Sequence, residues 1–275
     1  MSFREKIAAF GPEGALSGVL ALPTQQEPGA PGLALFNAGI VHRVGPHRLN
    51  VKIARALAAR GVASLRFDLS GLGDSRPAES GADLHSRTMA DIHAALDELG
   101  KTAGAQRFAL AGLCSGADNA YRAALLDRRI KGLALIDPYA YESRRAKIER
   151  AAAKALDPKR WKSALARVIS TDKVRNERAT RPEQESSRPH PPAAEFGADL
   201  KRLTDRGVDI LILYTRFVEG RLTRPEHFFE TFAGFDFGGR LTVEVDRAGD
   251  HTHTALAAQE ALIARLSAFV AGLRR

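Results

Sequence analysis

Cys114 is the residue around which a covalent chemistry can be built. It is the sole cysteine of 275 residues and lies in Phe108-Ala109-Leu110-Ala111-Gly112-Leu113-Cys114-Ser115-Gly116-Ala117, an apolar run that passes through G-x-C-x-G. Glycines two before and two after a central residue let the chain turn sharply from strand into helix while that residue is held out over the sheet. A thiol there has an ordinary pKa of about 8.5, and the N-terminus of a helix favours its thiolate. The expected role is nucleophile, with Ser115 one position out of register; the plain alternative is a small apolar residue filling a turn. Two other chemistries fail on spacing. A phosphate-handling cysteine wants an arginine six residues on, where Ala120 stands, and a dinucleotide site wants a third glycine after Gly71-Leu72-Gly73, where Arg76 stands.

Such a nucleophile needs a base, an orienting acid and donors for an oxyanion. A base is expected after the last strand, and Arg247-Ala248-Gly249-Asp250-His251-Thr252-His253-Thr254 follows Val243-Glu244-Val245. Two histidines two apart in a loop point differently, so at most one of them is expected to face the thiol. The acid is expected after the seventh strand, where Glu219 is the nearby carboxylate. Asp137, just after the sixth strand, is the alternative. The oxyanion donors are expected from the Ser115 amide and from the turn Asn37-Ala38-Gly39-Ile40, with the Ile40 amide pointing inward. His42, Arg43 and His47 follow that turn and could line an entrance.

The elements that must position these groups are legible as an alternation. Leu33 to Asn37, Val62 to Phe67, Arg107 to Ala111 and Ile130 to Ile136 read as short buried strands. Between them Leu49 to Arg60, Thr88 to Leu99 and Ala117 to Leu126 carry apolar residues at helical spacing. Ile7 to Phe10 and Ala15 to Leu22, joined by Gly11-Pro12-Glu13-Gly14, form an antiparallel start. Asp209 to Tyr214, Leu241 to Val245 and a closing amphipathic helix from Thr254 to Leu273 complete the pattern. Alternation of this kind calls for a mostly parallel sheet of eight strands with helices on both faces. Between Pro138 and Gly207 the rhythm breaks into basic helical stretches (Arg144 to Leu156, Trp161 to Ile169) and a proline-rich connector, Arg181 to Pro192. The expected organisation is a core of residues 1–138 and 207–275 with an inserted basic cap at 139–206.

Composition sets the outer bounds. At 44% apolar and 27% charged residues the chain can build a full core, and one cysteine excludes an internal disulfide and any CxxC zinc site. No window approaches the roughly 18 uncharged apolar residues that cross a bilayer, and Ser2-Phe3-Arg4-Glu5-Lys6 does not lead into an apolar segment, so a cytoplasmic protein with no membrane span is expected. The net charge of +9 would suit nucleic acid, but much of the excess falls in one segment, Glu142 to Arg175, so no nucleic-acid partner is expected.

Taken together, Asn37 to Leu49 (NAGIVHRVGPHRL), Ser64 to Ser75 (SLRFDLSGLGDS), Gly112 to Ala117 (GLCSGA), Gly132 to Tyr139 (GLALIDPY) and Gly249 to Thr252 (GDHT) resemble the α/β-hydrolase superfamily. Within it they are most similar to hydrolases associated with exosortase gene clusters. The resemblance covers nearly the whole chain except about Arg144 to Ala194. It implies an α/β-hydrolase fold with a helical cap and a Cys-His-acid triad, and it selects His251 over His253 as the base. The chain departs from the family where an aspartate with a nearby glycine is usual after the seventh strand: Arg216-Phe217-Val218-Glu219 stands there instead.

The expected activity is hydrolysis of a carboxylic ester or thioester through an acyl-cysteine, with Cys114, His251 and Glu219 as triad and no cofactor or metal. The substrate would be a small acyl compound, of which an anionic or carrier-bound ester would suit the basic cap. Acyl transfer by the same intermediate is one alternative. A hydrolase fold kept as a binding module is the other, and fold alone does not separate them.

Overall fold

The computed structural model describes residues 3–78, 81–155 and 190–273. Eight strands form one sheet: β1 (Phe3–Phe10), β2 (Leu16–Pro23), β3 (Gly32–Leu35), β4 (Ser64–Phe67), β5 (Phe108–Leu113), β6 (Ile130–Ile136), β7 (Asp209–Thr215) and β8 (Leu241–Asp246). Their order is β1-β2-β4-β3-β5-β6-β7-β8. β1 with β2 and β2 with β4 are antiparallel, and every later pairing is parallel. This is the mostly parallel eight-stranded sheet that the alternation predicts, in the α/β-hydrolase order that the resemblance implies. The interior strands read as unbroken apolar runs because both faces of a parallel sheet are covered.

Side-chain alternation along the strands sorts the core into two layers. Leu33, Leu35, Ala109, Ala111, Ile136 and Leu213 pack under α1 (Leu49–Ala58) and the C-terminal α7 (Leu256–Gly272). Leu65, Phe67, Leu110, Leu133, Ile212 and Tyr214 face the other way, with the buried sides of α2 (Leu84–Ala103), α3 (Ser115–Leu126) and α5 (Ala193–Asp205) in the same core. Two further helices are α4 (Arg144–Ala155) and α6 (Pro225–Thr231).

Helix α2 begins four residues ahead of the expected Thr88. Asp83 caps it, its Oδ1 accepting from the His85 and Ser86 amides at 2.9 and 3.1 Å, which satisfies first-turn donors that would otherwise face solvent alone.

The segment between β6 and β7 is described only in part, and the expected helix Trp161 to Ile169 and most of the connector lie outside the described residues. What is described shows that α5 buries Phe196, Leu200 and Leu203 completely and belongs to the layer over the sheet. Their i, i+4, i+7 spacing was the available signal for a core-facing helix.

Candidate active site

Parallel strands end in register, so the loops at their C-terminal edge can place groups in a row. The Cys114 amide donates to the Ile136 carbonyl at 2.9 Å, and the Asp137 amide donates to the Leu213 carbonyl at 2.9 Å. Cys114 and Asp137, just beyond β5 and β6, therefore stand side by side with Thr215, the last residue of β7. His251 reaches them from the loop after β8, where the Arg216 amide donates to the Gly249 carbonyl at 3.2 Å and ties that loop to the end of β7.

Cys114 has φ 58° and ψ −122°, a conformation that non-glycine residues rarely adopt and that persists only when its surroundings enforce it. The flanking glycines supply the enforcement. A Cβ on Gly112 would lie 2.2 Å from the Gly116 carbonyl oxygen, and a Cβ on Gly116 would lie 2.8 Å from the Asn37 carbonyl oxygen. The first turn of α3 can thus press against β5 on one side and the β3–α1 loop on the other only because both positions lack side chains. The half-buried thiol sits at the N-cap of α3, where the first amides have no intrahelical acceptor.

The imidazole of His251 hydrogen-bonds Asp137 Oδ2 through Nδ1 at 2.8 Å, and a second hydrogen bond joins it to Cys114. Burial opposes its protonation, but the hydrogen bonds to Asp137 and Cys114, with the attraction of both groups as anions, outweigh burial and push its pKa up to about 9. The same attraction favours a thiolate beside an imidazolium. Asp137 is fully buried with φ 47°, and its charge is met by the Thr215 amide on Oδ1 and the Thr215 hydroxyl on Oδ2, each at 2.7 Å. Charged hydrogen bonds of this kind are what allow a carboxylate to stay buried.

The carboxylate that His251 meets is that of Asp137, the alternative acid of the sequence, and Glu219, the first choice, stands apart from the imidazole. Glu219 is exposed, one residue past a 3₁₀ turn (Arg216–Val218), with its amide bonded to the Arg216 carbonyl; His251 takes its carboxylate from the end of β6. The position facing His251 from the β7 loop is occupied by Phe217, whose ring stacks on the imidazole with centroids 4.0 Å apart and planes 28° apart.

His253, the other histidine of the pair, is fully buried with φ 51°, and neither ring nitrogen has a hydrogen-bond partner. Desolvation holds its pKa below the usual value, so it is a neutral ring. Its backbone amide and carbonyl pair with Asp250 and Gln259 and help shape the loop.

The loop expected to carry the oxyanion donors is held by residues that spacing alone does not reveal. Ser115 supplies a first-turn amide, and its hydroxyl accepts the Gly39 amide at 2.7 Å, which draws the β3–α1 loop onto the elbow. Ile40, next in that loop, is 88% exposed through its side chain. The loop is held by the fully buried Asp68. Its Oδ1 accepts from Asn37 Nδ2 at 2.8 Å and the Arg43 amide at 2.6 Å, and its Oδ2 accepts from the Asp74 amide at 3.2 Å and the Arg43 guanidinium. Asn37 in turn accepts from the Leu69 amide at 2.7 Å. Asn37, Asp68, Arg43 and Asp74 fall within the two longest stretches that carry the family resemblance, and the network gives those stretches a physical reason. The available signal was an aspartate placed directly after a buried strand.

His42, Asp68 and Asp74 also bring three ligating atoms within 4.8 Å of one another. A cation there would displace one already present, since Arg43 forms ion pairs with both aspartates. Hydrogen bonds from Arg43 and then His42 hold Asp74 below the usual carboxylate range. The cluster is read as a loop anchor.

A mostly parallel eight-stranded sheet with a nucleophile elbow after β5 and a histidine after β8 defines an α/β hydrolase. Residues 39–205 match the family described as serine aminopeptidase, S33, and the chain belongs to that family of α/β hydrolases. Where the family's description names a serine, the elbow of this chain carries Cys114. The fold is shared with proline iminopeptidase from Mycobacterium smegmatis (TM-score 0.58, 17% identity, 98% of this chain and 99% of that one). It is also shared with an esterase from Pyrococcus furiosus (TM-score 0.58, 15% identity, 100% and 92%) and with Est1E from Butyrivibrio proteoclasticus (TM-score 0.56, 16% identity, 98% and 99%). No curated protein matches the sequence. No helix among the described residues is long and apolar enough to cross a membrane.

Proposed function

We propose that this hydrolase cleaves carboxylic ester or thioester bonds through an acyl-cysteine, with Cys114 as nucleophile, His251 as proton carrier and Asp137 as orienting acid. The observation that carries the reading is His251 bonded at once to the Cys114 thiol and to Asp137 Oδ2, with Cys114 on a strained elbow at the N-terminus of α3.

The Cys114 thiolate attacks the carbonyl carbon, and the carbonyl π pair moves onto oxygen. The amides of Ser115 and Ile40 are assigned to hold that oxyanion. Collapse of the tetrahedral species expels the alkoxide or thiolate, which takes the proton from His251 Nε2. The imidazole, now neutral and held with Nδ1–H toward Asp137, then removes a proton from water; the hydroxide adds to the acyl carbon and the Cys114 thiolate leaves. Each proton taken is returned within one cycle.

The stretches shared with exosortase-associated hydrolases support a place in that branch of the superfamily, and the basic residues of the 139–206 insertion support an anionic or carrier-bound acyl donor. Incubation with p-nitrophenyl butyrate, acid quenching and peptide mass spectrometry test the reading: a butyryl increment on the Cys114 peptide is expected. Turnover in the Cys114→Ala variant equal to that of the unaltered protein would overturn it.

A further inference from the structure

We infer that Phe217 is a positioning residue for His251, filling the place on the β7 loop from which the family's acid would act. The inference rests on the assignment of His251 as proton carrier.

Four contacts close a ring. Asp137 Oδ2 accepts from His251 Nδ1 at 2.8 Å. The same carboxylate oxygen accepts from the Thr215 hydroxyl at 2.7 Å. Thr215 Oγ1 in turn accepts from the Phe217 amide at 3.2 Å, and the Phe217 ring lies on the imidazole at 4.0 Å between centroids. The acid therefore fixes the aromatic residue through Thr215, and the aromatic residue fixes the base that the acid orients.

A hydrogen bond to Nδ1 alone leaves the imidazole free to rotate about it. Rotation swings Nε2 off the sulfur. A ring stacked at 28° blocks that motion, because tilting the imidazole would drive it into the phenyl face. The electron-rich face also lies against the ring that becomes positively charged during each cycle, a contact that favours the imidazolium. Phe217 is 53% exposed, so the stacked pair lies at the solvent-facing rim, where the ring's face on the imidazole is its contact with the site. The 3₁₀ turn over Arg216–Val218 directs Phe217 toward His251 and leaves Glu219 on the outside.

The test compares full-length Phe217→Leu, which keeps much of the bulk, with Phe217→Tyr, which keeps the ring. Steady-state kinetics with p-nitrophenyl butyrate should show kcat reduced about three- to tenfold in F217L at a KM within about twofold, and F217Y close to the unaltered protein. Proton NMR reads the base without any substrate: a low-field Nδ1–H resonance of His251, present in the unaltered protein and in F217Y, should broaden or vanish in F217L. A rise in KM alone with the resonance intact would make Phe217 only a wall for the substrate and overturn the proposal. Unchanged kinetics and an unchanged resonance would overturn it too. The controls Cys114→Ala and His251→Ala separate the two levels. If either keeps full turnover, the reading of the triad fails; if both lose it while F217L behaves as the unaltered protein, only the role of Phe217 fails.

Discussion

Replacing Asp137 by asparagine removes one charge and leaves the shape, and its consequences follow from the hydrogen bonds around it. The carboxylate accepts from Thr215 N, Thr215 Oγ1 and His251 Nδ1. An asparagine can offer its oxygen to the Thr215 amide, which leaves its NH2 facing the Thr215 hydroxyl and His251 Nδ1. The hydroxyl can turn to accept. The imidazole must then present Nδ1 as an acceptor and carry its proton on Nε2, toward the sulfur, where a base is needed. The electrostatic loss adds to the tautomer error. Holding the imidazolium at a pKa of about 9, against an ordinary 6.5, corresponds to about 3 kcal/mol of preference for the charged form, and the hydrogen bond to Asp137 is the largest contribution that raises it. Loss of a substantial part of that preference together with the wrong tautomer predicts a fall in kcat of about 10² to 10⁴, the upper figure being that of the corresponding substitution in a serine protease triad. Glu219→Gln, at an exposed site, should leave kcat within about twofold. Steady-state assays on p-nitrophenyl butyrate, with melting temperatures recorded to exclude unfolding, read both. D137N within threefold of the unaltered protein, or E219Q losing tenfold, would refute the assignment and return the acid to the β7 loop.

Three further outcomes follow from the same geometry. Because the His251 pKa is raised, the imidazolium's contribution to stability is fully present below about pH 6.5 and is lost as pH rises through about 9; turnover should show a descending limb near pH 9, and a limb at 6 to 7 would contradict the ion pair. Gly116→Ala places a Cβ 2.8 Å from the Asn37 carbonyl, so denaturant titration should show a loss of more than about 2 kcal/mol with activity reduced further, since the elbow must open for the two to coexist. Arg43→Ala strips the buried Asp68 of its counter-charge and should cost about 3 to 5 kcal/mol in the same titration, against less than about 1 for Arg55→Ala, whose pair with Glu5 is more exposed.

The strand and helix alternation was readable because burial on both faces of a parallel sheet leaves uninterrupted apolar runs such as Ile210 to Leu213, and the elbow was readable because its two glycines are demanded by contacts under 3 Å. Which carboxylate meets His251 was not. Both Asp137 and Glu219 follow strand ends, and it is Asp137, a left-handed residue at φ 47°, whose carboxylate bonds Thr215 and His251. A side-chain direction set by a left-handed residue leaves no periodicity to read. Helix α5 carried its signal in Phe196, Leu200 and Leu203 but followed a run of prolines, which drew the reading toward an irregular segment. The Asn37, Asp68 and Arg43 network joins residues up to 31 apart through hydrogen bonds that only the fold brings together.

The pH dependence of Cys114 alkylation by iodoacetamide, followed by mass spectrometry on the unaltered protein, bears most directly on the thiolate–imidazolium pair. A rate that is already high at pH 6 and that His251→Ala lowers to the behaviour of a free thiol is the predicted result. A single rise centred near pH 8.5, indifferent to the presence of His251, would contradict it.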